Sequence, residues 1–362
     1  VTVDEQHMQQ ALQLAANGRG RTSPNPMVGA VVTGRDGQII GTGYHECAGG
    51  PHAEVRALRE AGEDAVGGTL YCTLEPCCHR GRTGPCTEEI VTAGIRRVVV
   101  ATLDPNPVVH GSGAEILRHH RIVVDVGLCA KAARDLNVAF FTWIVKERPF
   151  VIMKVALSID GCFVRKGQHR TKLTSDTADS HVHSLRAEVD GIAVGSNTVI
   201  VDDPLLTARH VIRDRPLTRV VFDRRLRVSP SARLFGTRDA GPIILVTTEA
   251  QCEQQPDRVQ ALRDVGADIE TVTNPDDMGR VLRSLGRRDL TCLVVEGGKA
   301  VHQALWFDRH VDRVQMFIAP IRLGFDGEQW LNREFVIKEL ATIKVTNFGP
   351  DVLVEGDVYW NY

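Results

Sequence analysis

The sequence predicts two α/β domains in series, and three observations carry that reading. The chain has 362 residues, more than one hydrophobic core usually organises. Residues 1–147 alternate helical segments with short apolar strands, the order expected of a three-layer α/β domain. After Lys146-Glu147-Arg148-Pro149, which reads as a linker, a fresh series of apolar strands begins and fills residues 148–362. That second series predicts a mixed-sheet α/β domain.

The elements of the first domain follow in order. Residues 4–17 place Met8, Leu12 and Ala15 at helical spacing, and Gly18 and Gly20 end that helix. Thr22-Ser23-Pro24-Asn25-Pro26 is a rigid polar loop before a strand over 27–33. Asp36-Gly37 turns the chain into a second strand over 39–44. His52 opens a helix to about residue 61, a strand over 69–73 leads to a group of cysteines, and a helix covers roughly 87–93. The apolar run 98–101 is a buried strand, with Asp104-Pro105-Asn106-Pro107 at its C-terminal end. Helix 111–120, strand 122–126 and helix 129–144 complete the domain. Asn25, the cysteines and Asp104 with Asn106 all fall at strand ends or beside them, where α/β sheets place ligands.

In the second domain a strand over 150–156 leads into the turn Ser158-Ile159-Asp160-Gly161 and a returning strand. A helix over 174–187 starts on a Thr-Ser-Asp capping signal. Strands over 191–195, 218–222, 243–247, 268–272 and 293–296 alternate with helices. Residues 314–318 and 352–360 alternate apolar with polar and read as antiparallel. Val295-Glu296-Gly297-Gly298 is a strand running into two glycines before a helix, a junction whose backbone can approach a phosphate. A plain strand–helix turn is the other reading of it, and the spacing is not that of a dinucleotide fingerprint.

Composition narrows the function. Apolar residues at 43% and charged residues at 24% describe an ordinary soluble globular protein. A formal net charge of −2 argues against a nucleic-acid partner. Nine cysteines, an odd count spread along the chain, do not form a secreted disulfide framework. The N-terminal helix does not read as a signal peptide, and no apolar run approaches the roughly 20 residues that span a bilayer. The expected setting is cytoplasmic, away from membranes.

The chemistry concentrates in His52-Ala53-Glu54, Pro76-Cys77 and Pro85-Cys86. One imidazole and two thiols suit Zn²⁺, and three protein ligands leave room for water. On a regular helix His52 and Glu54 would point to different sides. They converge only if the site lies beyond the N-terminus of a helix that His52 begins. Cys86 also stands where a helix starts, and helix N-termini favour thiolate over thiol. The pattern H-x-E followed by P-C and a further Cys marks zinc-dependent base deaminases. There the bound water has a pKa near ~7, and Glu54 would carry its proton to a ring nitrogen and the leaving ammonia. A structural zinc with Cys78 or His79 as fourth ligand competes, but leaves the glutamate without a task. Eight residues separate Cys77 from Cys86, more than the two of the general pattern. Their histidine and two arginines suggest contact with substrate, a phosphate included.

Beyond that general pattern, Ser23-Pro24-Asn25-Pro26, Gly43-x-His45, His52-Ala53-Glu54, Thr73-Leu74-Glu75-Pro76-Cys77-x-His79-x-Gly81-x-Thr83-x-Pro85-Cys86 and Asp104-Pro105-Asn106-Pro107 stand in order. Together they resemble the bifunctional riboflavin-biosynthesis deaminase/reductase family, in which a long Cys–Cys insert is characteristic. The resemblance implies a cytidine-deaminase-like domain over 1–147 and a dihydrofolate-reductase-like domain over 148–362. It implies the substrate 2,5-diamino-6-ribosylamino-4(3H)-pyrimidinone 5′-phosphate, deaminated at the pyrimidine 2-position. It implies zinc on His52, Cys77 and Cys86, with Glu54 as proton shuttle. Asn25, His79, Arg82, Asp104 and Asn106 would line the pyrimidine and ribose-phosphate pocket; turn chemistry is the other reading of the two asparagines, each followed by proline.

In the second half, Lys154-x-Ala156-x-Ser158-x-Asp160-Gly161, Val194-Gly195-x-x-Thr198-x-x-x-Asp202-Asp203-Pro204-x-Leu206-Thr207-x-Arg209 and Glu296-Gly297-Gly298 are similar to the family's reductase, which uses NADPH to reduce the ribosyl group to ribityl. Ala156, Lys172, Thr198, Asp202, Gly298, Lys299 and Ala300 would face NADPH. Arg170, Arg186, Leu206, Arg209 and Glu296 would face the substrate. The family often has Ser-x-Trp-Ile-Thr before the first long helix, whereas this chain has Arg170-Thr171-Lys172-Leu173-Thr174. The cofactor loses a stacking surface, and Lys172 could instead approach its 2′-phosphate. The alternative reading is an active deaminase joined to a catalytically inactive reductase-like domain. The expected partners are the phosphorylated pyrimidine and further copies of the chain.

Overall fold

The computed structural model describes residues 1–79, 84–167, 171–274 and 277–360. The chain divides into two units, Val1–Glu147 and Arg148–Tyr362.

The first unit begins with α1 (Val3–Ala16), started by a reciprocal cap: the Thr2 hydroxyl accepts from the Glu5 amide, and the Glu5 carboxylate accepts from the Thr2 amide. There follow β1 (Gly29–Thr33), β2 (Ile39–Tyr44), α2 (Ala53–Ala61), β3 (Thr69–Cys72), α3 (Cys86–Thr92), β4 (Arg97–Val100), α4 (Ser112–His119), β5 (Val123–Val126), α5 (Ala130–Leu136) and α6 (Val138–Lys146). The sheet runs β2-β1-β3-β4-β5, with β1 antiparallel to its neighbours and β3, β4 and β5 parallel. Side chains alternate across it. Ala30, Val32, Leu70 and Val98 pack with Ala57, Ile90 and Leu117 on one face. Val31, Tyr71 and Val99 pack with Met8, Ala11 and Ala133 on the other. Two covered faces make the three layers.

Glycine brings α2 close to β2. A Cβ on Gly43 would lie 2.4 Å from the Ala53 carbonyl oxygen, so no other residue fits without moving the start of α2. The helix predicted over 129–144 is split at Asn137. That buried side chain holds the segment leading into β1: its Oδ1 accepts from the Met27 amide at 2.7 Å and its Nδ2 donates to the Met27 carbonyl at 2.8 Å. The same pair of bonds holds Met27 outside β1, which starts two residues later than predicted.

The second unit contains β6 (Phe150–Ser158), β7 (Cys162–Arg165), α7 (Asp176–Glu188), β8 (Gly191–Gly195), α8 (Ser196–Asp202), β9 (Thr218–Phe222), β10 (Ile243–Thr248), α9 (Glu249–Gln254), α10 (Pro256–Asp264), β11 (Ala267–Val272), α11 (Met278–Gly286), β12 (Cys292–Gly297), α12 (Lys299–Phe307), β13 (Arg313–Ala319), β14 (Gly327–Gln329), α13 (Arg333–Lys338), β15 (Leu340–Phe348) and β16 (Asp351–Val358). One sheet runs β11-β10-β9-β8-β12-β6-β13-β16-β15. It is parallel from β11 to β13 and antiparallel beyond.

Three expectations change here. Residues 314–318 lie in β13, which is parallel to β6 and antiparallel only to β16, because the crossover helix α12 returns the chain to the same end of the sheet. The strand after Gly161 does not return along β6. Asp160 accepts from the amides of Leu323 and Gly324, and its carbonyl accepts from Gln329, so β7 is drawn to β14 in a separate pair. Strand β15 was not foreseen: it is the outer strand, largely exposed, and carries little apolar periodicity. Among the described residues no helix is long and apolar enough to cross a membrane.

Gly43→Ala is expected to destabilise the first unit by about 1–3 kcal/mol through overpacking. A urea titration checks it; a midpoint equal to that of the wild type would contradict the close approach of α2.

Candidate active sites

His52 is the residue before α2, with extended backbone at φ −70° and ψ 161°, so its ring leaves the helix start while Glu54 sits within the first turn. Cys86 is the first residue of α3, and Cys77 lies in the loop leaving β3. The two helix starts and the strand exit meet at one point. His52 Nδ1 is 3.2 Å from Cys86 Sγ and 3.5 Å from Cys77 Sγ, and the Cys86 amide donates to Cys77 Sγ at 3.4 Å. The three donor atoms lie within 4.8 Å of one another. Among the described residues neither Cys78 nor His79 joins them, which removes the four-ligand reading. One nitrogen and two sulfurs at this spacing fit Zn²⁺ with a coordination position left over.

The Cys86 thiol donates toward Cys77, and with His52 and the Cys86 amide it outweighs burial and brings the Cys77 thiol down to about 4. Cys86 is pushed up by that same donation and by burial. The start of α3 favours a Cys86 thiolate, but burial and the bond to Cys77 oppose it, and two thiolates this close need a cation between them. The Glu54 carboxyl is 3% exposed, and burial pushes it above the usual carboxylate range.

Around this cluster the structure places Asn25, whose Nδ2 is 3.1 Å from His45 Nε2. His45 Nδ1 faces the Pro51 carbonyl at 3.2 Å, so Nδ1 carries the proton and Nε2 accepts from the Asn25 amide. His45 is buried and meets His52 edge-on, with ring centres 5.5 Å apart. It is a residue whose role the sequence reading did not assign, although Gly43-x-His45 contains it. Asp104 is buried, and burial pushes its carboxyl up to about 6. Its Oδ1 accepts from the Asn106 amide at 2.8 Å, and Asn106 Oδ1 accepts from Val108 at 3.1 Å, so turn chemistry accounts for part of both side chains. His79 is exposed, and Arg82 lies outside the described residues.

In the second unit Glu296 closes β12. Arg186 of α7 grips it with two bonds, Nε to Oε1 at 2.6 Å and Nη2 to Oε2 at 2.7 Å, and Lys154 Nζ stands 3.9 Å from Oε2. Burial opposes the charge of Glu296, but Arg186 and Lys154 outweigh it and hold the carboxyl down to about 2. Arg186 also donates to the Thr207 carbonyl, so it shapes a wall rather than waiting for a phosphate. Arg186 and Glu296 line a cavity of about 420 Å³ together with Thr198, Asp202, Leu206 and Arg209. A second cavity of about 350 Å³ is lined by Gly298, Ala300, Ser196 and three arginines, Arg224, Arg225 and Arg227. Gly298, at φ +87°, comes so near Gly195 that a Cβ would lie 3.4 Å from its amide nitrogen. An apolar wall of Phe222, Val246 and Met278, a glycine-lined floor and a guanidinium rim fit a phosphorylated dinucleotide.

Three residues expected at the cofactor are not among those lining the second cavity. Lys172 is paired with Asp176 and Asp179 at the start of α7. Lys299 faces Glu328 at 3.9 Å. Ala156 packs among Cys162, Leu173, Phe317 and Leu353. Arg170 lies outside the described residues. The arginines of the second cavity were missed, although Arg224-Arg225-Leu226-Arg227 directly after a strand was a signal. Asp223 Oδ2 accepts from the Val228 amide at 2.8 Å, and Arg258 donates to the Arg227 and Val228 carbonyls at 2.9 Å each, which holds the turn in place.

Comparison with known proteins matches two families along the chain. The family described as the cytidine and deoxycytidylate deaminase zinc-binding region matches residues 1–102, and the RibD C-terminal domain matches residues 149–354. The riboflavin biosynthesis protein RibD of Aquifex aeolicus is 40% identical over 358 residues, covering 97% of this chain and 98% of that protein. The structure of Acinetobacter baumannii RibD, form 1, is 33% identical with a TM-score of 0.87, covering 99% of each chain. A Thermotoga maritima diaminohydroxyphosphoribosylaminopyrimidine deaminase/5-amino-6-(5-phosphoribosylamino)uracil reductase is 35% identical with a TM-score of 0.83, again covering 99% of each.

Cys77→Ser removes one of the two sulfur donors. The variant is expected to lose its zinc during gel filtration, read by atomic absorption; zinc retained at the wild-type level would contradict the ligand set.

Proposed function

This chain belongs to the RibD family of riboflavin-biosynthesis deaminase/reductases, and from that premise we propose how its residues divide the two activities. It is a hydrolase and an oxidoreductase in one chain, with Zn²⁺ and NADPH as cofactors. Residues 1–147 carry the deamination and residues 148–362 the reduction. The Thermotoga maritima relative is named for a phosphorylated diaminopyrimidine. This chain takes the same class of substrate, 2,5-diamino-6-ribosylamino-4(3H)-pyrimidinone 5′-phosphate. The reading is carried by the convergence of His52, Cys77 and Cys86 with the buried Glu54 beside them.

His52, Cys77 and Cys86 hold the metal. Zn²⁺ bound there supplies a Lewis acid that makes water nucleophilic near neutral pH. Glu54 would take one proton from the attacking water and give it to the ring nitrogen, then take the second from the hydroxyl of the adduct and give it to the amino group, which leaves as ammonia when the C–N bond breaks. Asn25, oriented by His45, and the loop carrying Asp104 and Asn106 hold the pyrimidine. His79 and Arg82, from the insert, address the ribose phosphate.

NADPH supplies the hydride for the second step. Thr198 and Asp202 border the cavity in which Glu296 accepts hydrogen bonds from the sugar hydroxyls. Leu206 packs against the substrate, and Arg209 rather than Arg186 addresses its phosphate, since Arg186 is engaged with Glu296. Gly298 and Ala300 flank the cofactor, and its 2′-phosphate falls to Arg224, Arg225 and Arg227 rather than to Lys172. Two cavities suited to a sugar phosphate and a dinucleotide favour an active reductase over an inactive reductase-like scaffold. The same reading places the chain in the cytoplasm and as a homo-oligomer. The exposed outer strand β15, with Ile343 and Val345 facing solvent, is a surface that copies could share.

Two measurements test this assignment. Glu54→Gln is expected to retain zinc while ammonia release falls by at least ~100-fold, the range of general acid–base catalysis; near-wild-type release would contradict the shuttle. Arg224→Ala combined with Arg225→Ala is expected to weaken 2′,5′-ADP roughly tenfold or more in calorimetry while 5′-AMP binds as before. Equal weakening of both nucleotides would place the 2′-phosphate elsewhere.

A further inference from the structure

Glu75 lies buried in the loop between β3 and Cys77, and its carboxylate reaches into the loop that leaves β4. Oε2 accepts from the amides of Asp104 at 3.2 Å and Gly111 at 2.9 Å, and Oε1 accepts from Ala114 at 3.0 Å. The Glu75 amide itself donates to the Thr102 carbonyl at 3.0 Å. Asp104 and Gly111 are the two ends of the 104–111 loop, so one oxygen fixes the distance across it. Ala114 is in the first turn of α4. That helix begins on Gly111, which has no side chain to cap it. Glu75 supplies the cap from 36 residues away. Gly113 permits the approach: a Cβ there would lie 2.2 Å from the Pro76 carbonyl oxygen and 3.3 Å from Glu75 Cγ.

The 104–111 loop is braced internally as well. Asp104 Oδ1 holds the Asn106 amide, and His110 Nδ1 bonds the Asp104 carbonyl at 2.8 Å. Those bonds shape the loop but do not locate it. Strands β3 and β4 are parallel neighbours, so their exit loops leave the same edge of the sheet. One exit carries the ligand Cys77, and the other carries Asp104 and Asn106. Glu75 links the two. We propose that Glu75 is a positioning residue for deamination, setting the 104–111 loop at a fixed distance from Cys77. This rests on the reading that Asp104 and Asn106 hold the pyrimidine.

Glu75→Gln tests it in the full-length, zinc-loaded enzyme. The change keeps the volume but turns one acceptor into an NH₂ group facing amide donors. The KM for the diaminopyrimidine in ammonia release is expected to rise about tenfold, the worth of one or two hydrogen bonds. Zinc content and NADPH-dependent reduction of the deaminated product should match the wild type. A role in folding alone would lower the stability and leave KM where it was. An unchanged KM, or a raised KM accompanied by loss of zinc, would overturn the proposal. Asn106→Ala, assayed alongside, separates the layers. If it leaves KM unchanged, the substrate-loop reading fails and takes the proposal with it; if it raises KM while Glu75→Gln does not, only the role of Glu75 fails. Should Glu75→Gln not accumulate, Glu75→Asp keeps the charge, shortens the reach by one methylene and carries the same expectation.

Discussion

The deaminase unit depends on one geometric constraint: two helices must begin where a strand ends. His52 precedes α2, Cys86 begins α3, and Cys77 follows β3. Three donor atoms from three elements meet within 4.8 Å only because those starts coincide. The packing beneath serves the same end. Gly43 lets α2 lie against β2, and alternate residues of β1 and β3 fill the two faces of the sheet. Bringing the sulfurs together has an electrostatic consequence. Two thiolates this close repel each other, so the cluster suits a cation that neutralises both.

The reductase unit solves a different problem, keeping a carboxylate charged inside a protein. Glu296 is buried, and a lone buried charge is costly. Arg186 meets both of its oxygens, and Lys154 stands behind. That pairing leaves a cavity wall with a fixed charge and fixed acceptors. The neighbouring turn of three arginines is held by main-chain bonds from Asp223 and Arg258, so its guanidinium groups start from an ordered backbone.

What the sequence made legible follows from range along the chain. His52, Glu54, Cys77 and Cys86 could be read because metal chemistry restricts residue type and because helix starts have local signals. The alternation of strands and helices was legible for the same reason. Partners distant in sequence were not. Nothing local shows that Glu75 holds residues of the loop after β4, or that Asn137 pairs with Met27 across 110 positions. Strand β7 looked like a returning strand because its own residues suit one; its true partner, β14, is chosen by Asp160 and Gln329. Lys172 looked available for a phosphate, but Asp176 and Asp179 engage it. Strand β15 escaped because an exposed outer strand needs no apolar stripe.

The central claim is that one chain deaminates and then reduces a single phosphorylated pyrimidine. The direct measurement is mass analysis of the products after incubating the zinc-loaded protein with the diaminopyrimidine ribosyl phosphate, with and without NADPH. The account predicts the deaminated ribosyl compound alone without NADPH, and the deaminated ribityl compound when NADPH is present. Deaminated product that is never reduced, or substrate recovered unchanged in both arms, would contradict it.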